Sequence, residues 1–277
     1  MSDAVAASVG DADRPGAASA SAAGRPAAHA ARDASAAALR RGLVALGDSI
    51  TNGRGEPWLG VPALSWAQWV AEALELPFTK LARDGARAED VLRDLAPRLA
   101  GPYDVAALYV GVNDARSLDW DAAAYERSLT ALAQAAGASL VAPADRAAPG
   151  RANAGRLLLL TPPADLGRPT CAPKSLEAAA IVRRVAGEQG ALVVALDDLA
   201  GRRFVLPDTV HPTALGQVEI AARAINVLAA AGRPPRHDVW ESADRHRSRR
   251  AARAADRRWL TLLAQDLRRR AVERLAR

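Results

Sequence analysis

The chain has a single cysteine among its 277 residues, Cys171, so it can form no internal disulfide and no paired-cysteine metal site. That suits a reducing compartment. No apolar run approaches the roughly 18 residues that a membrane-spanning helix needs, which excludes a helical integral membrane protein. A basic start followed by an unbroken apolar stretch is also missing, because Asp3, Asp11 and Asp13 interrupt a weakly apolar opening. The expectation is therefore a cytoplasmic protein. Several catalytic signatures are absent too: there is no GxSxG elbow, no GxxxxGK[ST] phosphate loop and no HExxH zinc helix. Gly53-Arg54-Gly55 begins a dinucleotide-like pattern that meets Trp58 where a glycine is required. No cofactor and no metal is implied.

What is present falls into three parts. Residues 1–40 hold 17 alanines mixed with Ser, Gly, Pro and scattered charge, a composition expected to be disordered. Residues 41–232 are long enough for one domain with a real core. Residues 233–277 carry 14 arginines against 6 acidic residues, an excess of eight positive charges on a chain whose net charge is only +6. The basic character thus belongs to the tail, and the overall charge says nothing about the substrate.

Within the central part, short runs rich in Val, Leu and Ala at 43–46, 78–82, 105–110, 157–160 and 192–196 alternate with helical patterns at 65–74, 88–99, 122–136, 175–189 and 213–230. The runs lack clean apolar/polar alternation, as strands covered on both faces do. The predicted fold is α/β, a three-layer α/β/α sandwich around a five-stranded parallel sheet, flavodoxin-like in architecture.

In such sheets ligands bind beyond the carboxyl ends of the strands. Gly47-Asp48-Ser49-Ile50 follows the first run, Gly85 the second and Gly111-Val112-Asn113-Asp114 the third, while Asp208-Thr209-Val210-His211-Pro212 lies in the loop after the fifth. A serine, a histidine and a carboxylate are available at one edge. Serine is a poor nucleophile unless a base contacts it and an acceptor orients that base. The other histidines, His29, His237 and His246, all lie in the terminal segments, which leaves His211 as the candidate base. Turn-like backbone over 208–211 would bring Asp208 and His211 to the same side, with Pro212 helping to start the last helix. Asp48 and Asp114 read as loop braces, and Asp197-Asp198 as a turn or cap. Trp66 and Trp69, at i, i+3, read as core. Trp58 either packs or lines an acyl or alcohol pocket, and is carried forward as a substrate-binding candidate.

These blocks, in this order and each after its own strand, resemble the SGNH, or GDSL-type, serine hydrolase family of esterases and lipases over about 41–228. The resemblance implies Ser49 as nucleophile, His211 as general base and then acid, and Asp208 as the orienting carboxylate. It also implies oxyanion donors from the Ser49 and Gly85 backbone N–H groups and the Asn113 amide. The second block departs from the family pattern: Lys80 stands where asparagine is frequent, and Ala82 and Asp84 replace a glycine and a serine. The expected activity is hydrolysis of a small-molecule carboxylic ester through an acyl-enzyme on Ser49. The alternatives are acyl transfer with the same triad, or a binding module with a vestigial site whose basic tail carries the function.

In that tail, Leu260, Leu263, Leu267, Ala271 and Leu275 recur at helical spacing among arginines, predicting a basic amphipathic helix over about 256–277. It is expected to pack back onto the domain or onto a second copy. Peripheral contact with an anionic membrane or an acidic protein is the alternative. Nucleic acid is not expected, since Trp259 is the only aromatic beside these arginines.

Overall fold

The computed structural model describes residues 41–141, 155–167, 170–245 and 247–275. The alanine-rich opening segment, and the disorder expected of it, lie outside the described residues. Five strands, β1 (Leu43–Gly47), β2 (Phe78–Ala82), β3 (Val105–Tyr109), β4 (Leu157–Leu160) and β5 (Leu192–Val194), form one parallel sheet in the order β2-β1-β3-β4-β5.

The helices are α1 (Ser49–Asn52), α2 (Trp66–Ala73), α3 (Ala88–Asp94), α4 (Val112–Arg116), α5 (Ala122–Ala138), α6 (Ala172–Gln189), α7 (Ala214–Ala230), α8 (Val239–Asp244) and α9 (Arg249–Leu275). Why the strand runs look uniformly apolar is visible in their packing. Leu43 and Ala45 of β1 join Val105 and Ala107 of β3 in a core under α2 and α7. Val44 and Leu46 join Ala106 and Leu108 in a second core under α3, α5 and α6. A strand's alternate side chains point to opposite faces, so each run feeds both cores and needs an apolar residue at every position.

Most boundaries match the sequence pattern, and the differences have local causes. The helix expected over 88–99 stops at Asp94 and continues as a 3-10 turn, Ala96–Arg98, because Pro97 has no N–H to donate and crowds the preceding turn. The sixth helix starts three residues earlier than expected, with Pro173 in its first turn, where the missing N–H costs nothing. The fifth strand ends at Val194, two residues early: beyond the Leu160–Val194 pairing, the Leu196 N–H turns to Thr161 Oγ1 at 2.8 Å.

The basic tail folds back. Val239, Ala243 and Ala255 are buried in the same core as β1 and α7, with Trp240 and Trp259 packed against it. Arg258 forms an ion pair with Glu56 at 2.8 Å, and Arg202 pairs with Asp256 at 2.5 Å while stacking over Trp259. Leu260, Leu267 and Leu275 of α9 remain exposed. Among the described residues no helix is long and apolar enough to cross a membrane.

Candidate active site

β1 delivers the chain to the sheet edge, and Asp48 turns it into α1. The Asp48 carboxylate caps that short helix, its Oδ1 accepting from the Ile50 N–H at 2.9 Å. Ser49 is therefore held in the helix's first turn, with its side chain in reach of the far loop. Ser49 Oγ lies 3.0 Å from His211 Nε2. On the other side of the ring, His211 Nδ1 is 2.7 Å from Asp208 Oδ2.

The loop after β5 is braced to present this pair. Asp208 Oδ1 accepts from the backbone N–H groups of Val210, at 2.9 Å, and of His211, at 3.0 Å. Thr209 takes up a left-handed backbone, φ 59°, uncommon for a β-branched residue and affordable only where the surroundings fix it. Its N–H reaches Leu206 O, and the Leu206 N–H reaches His211 O, both at 2.9 Å. Burial alone would raise the Asp208 pKa. The His211 hydrogen bond and charge, with the two backbone donors, outweigh it and hold the carboxyl below its ordinary value. It stays an anion facing the imidazole.

Asn113 and Gly85 meet on the other flank. Asn113 Nδ2 donates to Ala86 O at 3.0 Å and, more weakly, to Asp48 Oδ2 at 3.4 Å, tying the loop that carries Gly85 to the loop that carries Ser49. Gly85 has φ 75°, and a methyl group added there would meet nothing within 4 Å, so its backbone borders open space. Asp114 accepts from the Ala88 N–H and so fixes the start of α3.

Two carboxyls here are driven up by burial. Asp48, wholly enclosed, has its pKa raised to about 7; the Ile50 N–H and the His211 charge pull it down, and Asp114 pushes it further up. Burial likewise raises Asp114 to about 6.

The departures in the second block have partners in this structure. Lys80 Nζ donates to Asn52 O at 2.9 Å, and Asp84 accepts from Asn52 Nδ2 at 2.9 Å and pairs with Arg54 at 3.2 Å. Both replacements therefore clasp the end of α1. Asp197 and Asp198 are held in ion pairs with Arg183 and Arg223, away from any paired-acid arrangement. Trp58 is a core residue: it is 4 % exposed, packs in the cluster under α2 and α7, and pairs its backbone with Val61. Its substrate-binding assignment gives way to the packing one, because the side chain is enclosed in that core.

Sequence reasoning missed Gln217. This fully buried side chain accepts from the Trp66 N–H at 2.8 Å and donates to Ile50 O at 3.1 Å. A polar residue at a core position of α7, between Leu215 and Val218, was the available signal. The sequence predicts that the tail packs back onto the domain, but not that it reaches the triad. Leu262, Gln265, Asp266 and Arg269 of α9 share a cleft with Asp208 and His211.

The model of the GDSL-like Lipase/Acylhydrolase family matches residues 45–218, well over half of the chain. The chain belongs to this family. It is a carboxylic ester hydrolase, and the matched span contains every residue of the site described above except those of α9. No curated protein sequence matches it. Among solved structures it is similar to TesA, with 22% identity and a TM-score of 0.52 over 68% of this chain and 98% of that one. It is also similar to LAE5, an alpha/beta hydrolase enzyme from the metagenome of Lake Arreo, Spain, with 19% identity and a TM-score of 0.51 over 69% and 96%. Axe2, an acetylxylan esterase from Geobacillus stearothermophilus, shares 19% identity with a TM-score of 0.50 over 68% and 94%. These likenesses establish the fold.

Proposed function

We propose that this hydrolase works through an acyl-enzyme on Ser49. The observation that carries the reading is the continuous chain of contacts from Ser49 Oγ to His211 Nε2, 3.0 Å, and from His211 Nδ1 to Asp208 Oδ2, 2.7 Å. Neutral His211 takes the hydroxyl proton on Nε2 as Oγ bonds to the ester carbonyl carbon. Asp208 keeps Nδ1 protonated and stabilises the imidazolium that results. The carbonyl oxygen becomes an oxyanion, met by the Ser49 and Gly85 N–H groups and the Asn113 amide, each donor contributing on the order of 3 kcal/mol. To serve in this way the Asn113 amide exchanges its long 3.4 Å bond to Asp48 for the oxyanion.

Collapse breaks the ester C–O bond, and the alcohol leaves with the proton from His211. Water then attacks the acyl-enzyme, giving its proton to the same nitrogen, and the acid departs as Ser49 regains its hydrogen. The test is steady-state hydrolysis of p-nitrophenyl acetate by the wild type and by Ser49→Ala, with unfolding curves recorded beside it. The expected result is turnover at background in the variant with an unchanged folding transition; undiminished turnover contradicts the serine mechanism.

A further inference from the structure

Packing onto the domain accounts for only part of the α9 sequence. Ala255 is buried in the core, Trp259 packs against it, and Arg258 is tied to Glu56. Left to solvent are Leu260, Leu267 and Leu275, which are 59%, 57% and 89% exposed. Their steps of seven and eight residues each come close to two helical turns, so the three stand on one line about 22 Å long. Ala264 and Ala271, which fill that line, are small and exposed.

Arginines extend and flank it. Arg253 and Arg257 continue the line toward the amino end, and Arg268 and Arg274 lie within one turn of Ala264 and Ala271; all four are exposed. The three acidic residues of α9 are engaged elsewhere: Asp256 by Arg202, Asp266 by Arg269 and Arg270, and Glu273 at 4.0 Å from Arg269. Among the described residues, these four arginines pair with no acid. The face is therefore cationic and apolar at once, and it belongs to a helix beyond residue 218, where the family match ends.

That combination selects among occupants. A second copy docking by the same face would set arginine against arginine, which is repulsive. Nucleic acid calls for an aromatic to stack on, and the nearby Trp259 is packed against the core. An acidic protein would satisfy the guanidinium groups but gives no reason for exposed leucines at two-turn spacing. An anionic bilayer meets both requirements, since its phosphates take the guanidinium groups while the leucines enter the boundary between headgroups and acyl chains.

We propose that the Leu260-Leu267-Leu275 line of α9, with its four unpaired arginines, docks the protein on an anionic lipid surface. Among the described residues no helix is long and apolar enough to cross a membrane, so α9 lies in the plane of that surface. Gln265 and Arg269 of the same helix line the cleft that holds Asp208 and His211. Docking thus carries that cleft to within roughly one helix diameter, ~10 Å, of the lipid.

The test is co-sedimentation of the full-length protein with vesicles of phosphatidylcholine alone and of phosphatidylcholine with phosphatidylglycerol at about 7:3. The wild type is expected to partition onto the anionic vesicles about tenfold or more better, and to lose most of that preference as salt rises from about 0.05 M to about 0.5 M. The triple variant Arg257→Gln, Arg268→Gln, Arg274→Gln is expected to bind about 100-fold less, at roughly fivefold for each arginine near such a surface. The double variant Leu260→Gln, Leu275→Gln keeps every charge and is expected to bind about tenfold less. Circular dichroism and unfolding curves check each fold; should the double variant not fold, Leu275→Gln alone, near the exposed end of the helix, replaces it, with an expected loss of about threefold. Absent binding to the anionic vesicles, or equal binding to both kinds, overturns the proposal. Binding that is lost with the arginines but unchanged in the folded leucine variant also overturns it, in favour of a surface for an acidic protein. None of these readouts depends on catalysis, so they stand apart from the Ser49 mechanism.

Discussion

Gln217 Nε2 donates to the carbonyl of Ile50 at 3.1 Å while its Oε1 accepts from the Trp66 N–H at 2.8 Å, so one fully buried amide joins the nucleophile turn, α2 and α7. Gln217→Leu keeps the volume and removes both partners. The expected loss is about 1–3 kcal/mol, the cost of leaving the buried Trp66 N–H unmet, while Ile50 O keeps the Gly53 N–H at 3.1 Å. Denaturant unfolding measures it, and a change below about 0.5 kcal/mol, the size of an ordinary surface substitution, would contradict this account.

Asp208 is expected to matter through the orientation of His211. In Asp208→Asn the oxygen can still meet the backbone donors of Val210 and His211, but the amide nitrogen then faces Nδ1 and favours the wrong tautomer. The predicted fall in kcat is on the order of 10³–10⁴, with the fold retained. A loss of less than about tenfold in steady-state kinetics would remove Asp208 from the triad.

Asp48 gives the protein a pH signature. Its pKa is raised by burial to about 7, so the folded state keeps a proton that the unfolded chain releases near pH 4. The contribution to stability is therefore full below about pH 4 and is lost as pH rises to about 7, by at most ~4 kcal/mol at 1.4 kcal/mol per unit. Asp114, raised to about 6, acts in the same direction, whereas Asp208, lowered, acts only in acid. Asp48→Asn deletes the first component alone. Between about pH 5 and 8 the wild type should lose more stability than the variant; parallel unfolding curves across that window would count against a buried, proton-holding Asp48.

The two glycines at the site edge should respond differently to alanine. Gly111 has φ 113°, and an added Cβ would stand 2.5 Å from the Tyr125 hydroxyl, which itself holds Val110 O. Gly85 needs only its left-handed backbone, with open space around it. Thermal unfolding should place Gly85→Ala about 1 kcal/mol below the wild type and Gly111→Ala lower still, by about 1–3 kcal/mol more. The reverse order would contradict the packing described around Tyr125.

The sheet could be read from the sequence because its strands are short, wholly apolar and separated by helices of clear period, and because strand ends in a parallel sheet collect at one edge. Ser49, Asp208 and His211 could be nominated on the same ground, with His211 isolated by the scarcity of other histidines in the domain. Trp58 could not be assigned, since a tryptophan in a Gly/Pro-rich loop looks the same whether the ring turns inward or outward. Gln217 was hidden because one polar residue in an apolar helix has no local partner; its partners lie some 150 residues away. The position of α9 was hidden for a related reason: its pattern announces an amphipathic helix, while the surface it covers is set by Glu56, Asp256 and Trp259 contacts that no local spacing encodes.

The most direct test of the central claim is covalent. The protein is incubated with a fluorophosphonate, digested and mapped by mass spectrometry, with His211→Ala in parallel. The account predicts a single adduct on Ser49 in the wild type and little or none in the variant, because the hydroxyl is activated only by the imidazole 3.0 Å away. An unlabelled Ser49 in the folded wild type, or equal labelling without His211, would contradict it.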